Sequence, residues 1–310
     1  MAIRVLFPGA LTTVQDPGRF GYQQAGIPCS GVMDQRSFSI ANGLTGNLPG
    51  AAVLEHTILG GQYLFTQDAV IALTGADMDP RIDGSPCPMY RPVQISSGSV
   101  LSLGTARKGC RTYLAVTGGI DVPEVLGSRS TNIKCGIGGY EGRALLAGDL
   151  LPVGDSRVTY DEIRSRTSAE IPYASDIRIR VIEGPQNDYF TENGLFTFYS
   201  GTYTVTGQSD RMGCRLSGPS IESIHGTDII SDGIVFGSIQ ITPAGEPIVL
   251  MADRQTTGGY AKIATVCTAD LPLLAQARPG DTVHFEKITV SAAVKLMQET
   301  SAVHYLKGVI

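Results

Sequence analysis

Short apolar segments closed off by Gly, Pro, Asp or Asn recur along the whole chain: Gln62–Phe65, Val70–Leu73, Val100–Leu103, Tyr113–Val116, Arg178–Ile182, Tyr203–Thr206, Ile234–Ile241, Ile248–Met251 and Thr282–Phe285. Runs of this length between turn formers read as strands. Glycine supplies 38 of the 310 residues, while 17% of residues are charged and 42% hydrophobic, which suits a turn-dense β protein with a good core and argues against disorder. Helical signal is sparse. One helix is predicted over Gln35–Leu44, with Asp34 as N-cap and Phe38, Ile40, Ala41 and Leu44 sharing a face. A second is predicted from about Ser291 to Tyr305, carrying Val294, Leu296, Met297, Val303 and Leu306.

The length exceeds the size at which one core usually keeps growing, so two domains are expected, with one large barrel as the alternative. The halves echo each other. In each, an apolar strand reaches a Gly-Gly pair (Tyr113 to Gly119, Ile248 to Gly259), and a Gly-Asp pair later precedes another apolar strand (Gly148-Asp149, Gly280-Asp281). A duplication is inferred. Between the halves, Asp155–Ser175 is rich in charge and small polar residues and lacks an apolar period, as an interdomain connection does. The expected domains are residues 1–160 and 176–310.

A formal charge of -5 without a Lys/Arg cluster argues against nucleic acid as a partner. No apolar run approaches the ~20 residues that span a bilayer, and Met1–Pro8 is too short and too soon interrupted for a secretory signal, so no membrane association and a cytoplasmic location are expected. The six cysteines form no C-x-x-C pair and read as buried free thiols, with Cys135 and Cys214, each beside a glycine, candidates for proximity to a site. The four histidines lack metal-ligand spacing, so no metal is expected. There is no phosphate-binding G-x-x-x-x-G-K-[ST] loop and no G-x-S-x-G elbow. Gly136–Gly142 fails the dinucleotide fingerprint, because Glu141 stands in place of its last glycine; a tight turn is the better reading.

Polar residues concentrate instead beside glycines. Met251–Tyr260 places Asp253, Arg254, Gln255, Thr256, Thr257, Gly258, Gly259 and Tyr260 directly behind an apolar strand. A rigid strand end can offer such donors and acceptors to a ligand, and an ordinary Gly turn is the competing reading. In Gln15–Tyr22, Asp16 and Pro17 have turn roles, whereas Arg19 either pairs with a surface acid or presents its planar fork to a carboxylate or phosphate. Gly127–Thr131 offers hydroxyls and a cation to an anion, or decorates a loop. In Gln208–Leu216, Arg211 and Arg215 flank Asp210, so one can pair with it while the other is left for an anionic ligand. Gln240, inside an apolar segment, is a structural bridge or a ligand contact.

Taken together these clusters, with Thr12–Tyr22, Gly31–Asp34, Ala41-Asn42, Leu73–Ala76, Tyr113–Pro123, Gly127–Thr131 and Arg211–Leu216, resemble a family of biotin-dependent carboxyltransferase type. It includes the C subunit of 5-oxoprolinase, allophanate-hydrolase-like subunits and the carboxyltransferase part of urea carboxylase. The resemblance covers roughly residues 1 to 290. It implies a mainly β fold of two tandem cyclophilin-like β-barrel domains with few helices, working with a companion subunit of related fold and a third subunit. No amidase Ser-Ser-Lys machinery, biotin-accepting segment or ATP-grasp segment is recognisable, so the chain is most similar to the subunit of ATP-dependent 5-oxoprolinase, with ATP used by the complex. Two alternatives stay open: a biotin-dependent urea-type carboxyltransferase, and a regulatory protein that binds a sensor-kinase inhibitor.

The candidate substrates share a planar amide-like carbonyl with N–H groups. On side-chain chemistry and the motif match, Arg254, Gln255, Thr256 and Tyr260, with the Gly258-Gly259 backbone, are expected to serve the oxygen or a phosphate. Thr257 joins them in substrate binding. Asp253 is expected to accept an N–H, and Arg211 or Arg215 to take a substrate carboxylate; Arg19 and Gln240 complete the candidate binding set.

Overall fold

The computed structural model describes residues 2–300 together with Leu306 and Lys307, and the chain divides into two compact units. Unit 1 takes residues 2–20 and 30–173 with Leu306–Lys307, and unit 2 takes Gly21–Cys29 and Ala174–Thr300. The protein is mainly β with few helices. Among the described residues no helix is long and apolar enough to cross a membrane.

Unit 1 is built on two antiparallel sheets. One runs in the order Leu150–Pro152, Ala2–Phe7, Gln62–Phe65, Val100–Ser102, Arg81–Ile82 and Ser85–Pro86; the other runs Leu11–Gln15, Val53–Thr57, Lys108–Val116, Ala69–Asp77 and Val93–Ile95. Successive side chains of a strand point to opposite faces, and the second sheet uses both. Val14, Leu54, Leu114 and Leu73 join Ile3, Val5, Tyr63 and Phe65 of the first sheet in the main core. The adjacent residues Val53, Tyr113 and Ala115 face the other way and receive Phe38 and Ala41 of the helix Gln35–Thr45. The predicted apolar face of that helix is the one it buries. Its N-cap is Asp34, whose carboxylate accepts the Ser37 N–H at 2.9 Å and the Ser37 hydroxyl at 2.7 Å.

Unit 2 is a closed barrel of seven strands in the order Asp176–Glu183, Lys262–Val266, Ser238–Ile241, Pro247–Leu250, Gly213–Ser217, Tyr203–Val205 and Thr282–Lys287. Parallel pairing of the first with the last, from Asp176↔Thr282 to Val181↔Lys287, completes the ring. Ile177, Ile179 and Val181 alternate with more exposed neighbours and fill the interior with Ile239, Val249, Leu216, Val283 and Phe285. Phe198, on the helix Glu192–Ser200, stacks on Phe285 at 4.6 Å between ring centres. A separate ribbon pairs Asp228–Gly233 with Thr257–Tyr260.

The structure departs from the sequence expectations for several elements. The Ile234–Ile241 strand begins at Ser238, because Ile234 turns away to donate to the Thr256 carbonyl at 3.1 Å. The stretch expected to be a bare connection carries a helical turn, Tyr160–Ile163, and the strand Thr167–Ser168. The final predicted helix spans Val290–Glu299 and buries none of its residues; Val303 and Tyr305 lie outside the described residues. Leu306 is not helical but pairs, with Lys307, against Thr167–Ser168.

The two Gly-Asp pairs adopt one local geometry. Asp149 accepts the Leu146 N–H on its carboxylate at 2.8 Å, and Gly148 donates to Val5 O at 2.8 Å. Asp281 accepts the Arg278 N–H at 2.7 Å, and Gly280 donates to Val205 O at 2.9 Å. Both glycines sit at φ +96°. The same turn thus leads into Leu150–Pro152 in one unit and Thr282–Lys287 in the other.

Candidate functional site

Antiparallel pairing of Gly213–Ser217 with Pro247–Leu250 sets Gly213 opposite Leu250, so residues just before the one strand meet residues just after the other. Met251 N–H donates to Met212 O at 2.9 Å and Asp253 N–H to Arg211 O at 2.8 Å. This brings Arg211 onto Asp253 as a buried bidentate pair, Nε to Oδ2 at 2.8 Å and Nη2 to Oδ1 at 3.1 Å. The sequence had offered Asp210 as the partner of an arginine. Asp210 instead accepts the N–H groups of Met212 and Gly213, at 2.8 and 3.0 Å, and so shapes the turn between the strands.

Arg254 lies at the same strand end, 8% exposed. Its guanidinium carbon is 5.6 Å from the centre of the Phe236 ring, and Nη1 makes a long 3.4 Å bond to Met251 O. Burial lowers its pKa from the usual guanidinium value, against the opposing pull of the hydrogen-bonded Cys29 thiol and of Asp253. Nε–H is buried and meets no acceptor among the described residues. A buried donor in that condition costs on the order of 1–3 kcal/mol.

The other predicted residues of unit 2 fall on a second group along the outside of the barrel. Across the strands, Arg215 pairs with Ile248, Ile248 with Gln240, and Gln240 with Lys262 at a bulge, which aligns Arg215, Gln240 and Lys262 in one lateral row. Gln240 is buried, and its amide donates to Tyr260 O at 3.1 Å, so it acts as the structural bridge. Gly258 lies over it: a Cβ there would stand 2.5 Å from Gln240 Nε2. The close approach that Gly258 permits is to this amide. Gly259 and Tyr260 continue the ribbon, half-buried, whereas Gln255, Thr257 and Arg215 are exposed and Thr256 is half-buried.

Lys262 was not singled out from the sequence. It is 3% exposed, and Nζ donates to Asp232 Oδ2 at 2.7 Å, holding that carboxyl below its ordinary range. The signal was available: one lysine in the apolar run Ala261–Val266. Cys29 and Phe236 were also missed, and nothing in their local sequence ties them to Arg254.

Arg19 lies in unit 1 and is fully buried. Rather than a surface acid, it binds backbone, donating from Nε to Val125 O at 3.0 Å and from Nη2 to Ser130 O at 2.8 Å. Beside it Asp16 accepts Gly18 N–H, the Ser128 and Ser130 hydroxyls and Arg129 N–H. The two polar clusters around Arg19 and Arg129 thus interlock. Five of the cysteines, including Cys214, are buried free thiols, and Cys135 is an exposed one.

The sequence and architecture match known proteins over nearly their full extent. The profile of the carboxyltransferase domain, subdomain A and B, matches residues 25–287. The C subunit of 5-oxoprolinase from Escherichia coli (strain K12) is 38% identical over 297 residues, covering 96% of this chain and 94% of that protein. Urea amidolyase of Saccharomyces cerevisiae is 34% identical over 96% of this chain, which spans 17% of the longer protein. The crystal structure of Kluyveromyces lactis urea carboxylase superposes with a TM-score of 0.89 at 33% identity, over 98% of this chain and 29% of that one. A match of this breadth and identity, on the same mainly β architecture, places this chain in the carboxyltransferase domain family, subdomains A and B.

Proposed function

We propose that this chain is a subunit of an ATP-dependent 5-oxoprolinase, which hydrolyses 5-oxo-L-proline to L-glutamate together with a companion subunit of related fold and a third subunit. The observation that carries this reading is the 38% identity that runs through 94% of the C subunit of Escherichia coli 5-oxoprolinase. Opening a lactam builds negative charge on the carbonyl oxygen, and a donor already fixed in a dry setting stabilises it without reorganising. Arg254 Nε–H supplies that donor. Asp253, fully engaged by Arg211, holds the strand end in place, and exposed Arg215 offers its cation to a substrate carboxylate. Gln255 and Thr256 follow Arg254 directly in the chain and supply further polar contacts, while Thr257, Gly258, Gly259 and Tyr260 belong to the ribbon over Gln240 and offer theirs from the second group.

ATP would supply the activation of the amide. Arg211 and Lys262 are committed to Asp253 and Asp232 and take no part in holding its phosphates. A second reading, carboxyl transfer in a biotin-dependent urea-type carboxylase, is favoured by the superposition on urea carboxylase over 98% of this chain. In that reading the ureido ring of biotin would offer a flat carbonyl of the same kind, which Arg254 would hold.

The test is reconstitution with the products of neighbouring genes, followed by glutamate release from 5-oxoproline with and without ATP. Arg254→Ala is expected to lower turnover at least about 100-fold, on the order of 2.7 kcal/mol of lost transition-state stabilisation, in a complex that still assembles. Unchanged turnover would remove Arg254 from the chemistry. Carboxylation of urea in place of lactam opening would establish the second reading.

A further inference from the structure

The geometry points to a second small-molecule site in unit 1: a pocket behind the Gly136–Gly142 loop that takes a flat, acceptor-rich nitrogen heterocycle of bicyclic size. The pocket has a volume of about 480 Å³ and apolar walls from Val122, Pro123, Val125, Ile137 and Pro152. That volume and lining are those of a ligand cavity.

Three further observations distinguish it from a surface dent. First, its aromatic wall is fixed before anything binds. The Arg143 guanidinium lies 5.2 Å from the centre of the Tyr140 ring and is locked by Asp149, at 2.8 and 2.9 Å, and by Glu141 at 2.8 Å. A ring fixed in advance lowers the ordering cost of contact with a planar ligand.

Second, the loop presents bare peptide edges. Among the described residues the N–H groups of Gly138, Tyr140 and Glu141, which all line the pocket, meet no protein acceptor. Directly behind Gly138 stands the buried Arg19 guanidinium: a Cβ on Gly138 would fall 2.5 Å from its Nη2 and 2.1 Å from Ser130 O. Only glycine leaves this wall one backbone thick. N–H dipoles backed by a cation favour lone pairs over N–H or C–H edges.

Third, two non-glycine residues beside the pocket hold left-handed backbone, Leu126 at φ +54° and Glu141 at φ +55°. Such strain concentrates at ligand clamps. Together these features select a flat ring that packs between the apolar walls and Tyr140 and turns acceptor atoms toward the loop. The pocket shares no residue with the barrel group of unit 2, so the two assignments stand or fall separately.

The test is titration of the full chain with purine, an acceptor-rich bicycle, and with indene, a shape-matched hydrocarbon, followed by ligand-observed NMR. Purine is expected to bind saturably and at least about tenfold more tightly than indene, ~1.4 kcal/mol. Pro123→Trp, at an exposed lining position, fills the mouth, and Tyr140→Ala removes the aromatic wall; each is expected to weaken purine binding at least tenfold, ~1.4 kcal/mol, with thermal unfolding little changed in Pro123→Trp. Absence of a saturable purine signal, equal binding of indene, or full binding by folded Pro123→Trp would each overturn the assignment. So would a Pro123→Trp protein whose only defect is loss of assembly with its partner subunits.

Discussion

Arg211 and Asp253 are both buried and joined by two hydrogen bonds, and the consequence follows from solvation. Removing one member of such a pair leaves its charge in a poor solvent, at a cost of about 3–5 kcal/mol, whereas replacing both with apolar groups of similar volume is often neutral. Asp253→Asn is therefore expected to lower the urea midpoint by the equivalent of about 3 kcal/mol. The double substitution Arg211→Met with Asp253→Leu should recover most of that loss; additive losses would show that the pair is not the source. The sequence brought both residues to notice as polar groups at strand ends. It could not pair them, because their contact depends on the register of Gly213 opposite Leu250, two residues more than thirty positions apart in the chain. Lys262 escaped for a related reason: its place on the row of Gln240 is fixed by a bulge, and bulges leave little trace in a single strand.

The repeated Gly-Asp turn offers an internal control for what one side-chain hydrogen bond contributes to an element. Asp281 caps the Arg278 N–H at 2.7 Å, and Asp149 does the same for Leu146 while also binding Arg143. Asp281→Ala is expected to cost about 1 kcal/mol, the net value of one ordinary hydrogen bond, and Asp149→Ala about 2–3 kcal/mol, because a charge-assisted pair is lost with it. Equal losses in chemical denaturation would contradict the ranking. These turns were legible as Gly-Asp before an apolar run, and so was the helix Gln35–Thr45, where the cap and the apolar face agree. The helix Glu192–Ser200 was not. Its sequence, ENGLFTFYS, is rich in residues of weak helix propensity, and it is held by Thr191 accepting the Gly194 N–H and by Phe198 stacking on Phe285. Parallel closure of the barrel was equally invisible, since it joins Asp176–Glu183 to Thr282–Lys287 across the length of the unit.

At the scale of the whole molecule, the buried titratable groups set the pH range of stability. His56 is fully buried, with Nδ1 3.1 Å from Thr112 O and Nε2 2.8 Å from the Tyr63 hydroxyl. Desolvation brings its pKa down from 6.5 to about 4. As pH falls below 6.5 the unfolded chain takes up a proton that the folded chain refuses. Stability is then lost at up to about 1.4 kcal/mol per pH unit until about pH 4, where the folded form titrates too. Carboxylates held low by partners act further down: Asp149 on Arg143, Asp176 on the Thr282 hydroxyl and Asp232 on Lys262. Their contribution is present above their unfolded pKa and disappears as pH falls through the depressed folded values. On the alkaline side burial pushes the Cys87 thiol up from 9.0 to about 11 and Tyr90 and Tyr203 up to about 12, so the unfolded chain ionises first and stability falls above about pH 9. The expected profile is a plateau from about pH 6.5 to 9 with a two-stage acid limb. In denaturant titrations across this range, His56→Gln should be less stable on the plateau yet lack the first acid stage. Parallel profiles for the two proteins between pH 6.5 and 4 would mean that His56 is already protonated in the fold, contrary to its burial against the Tyr63 hydroxyl and the Thr112 carbonyl.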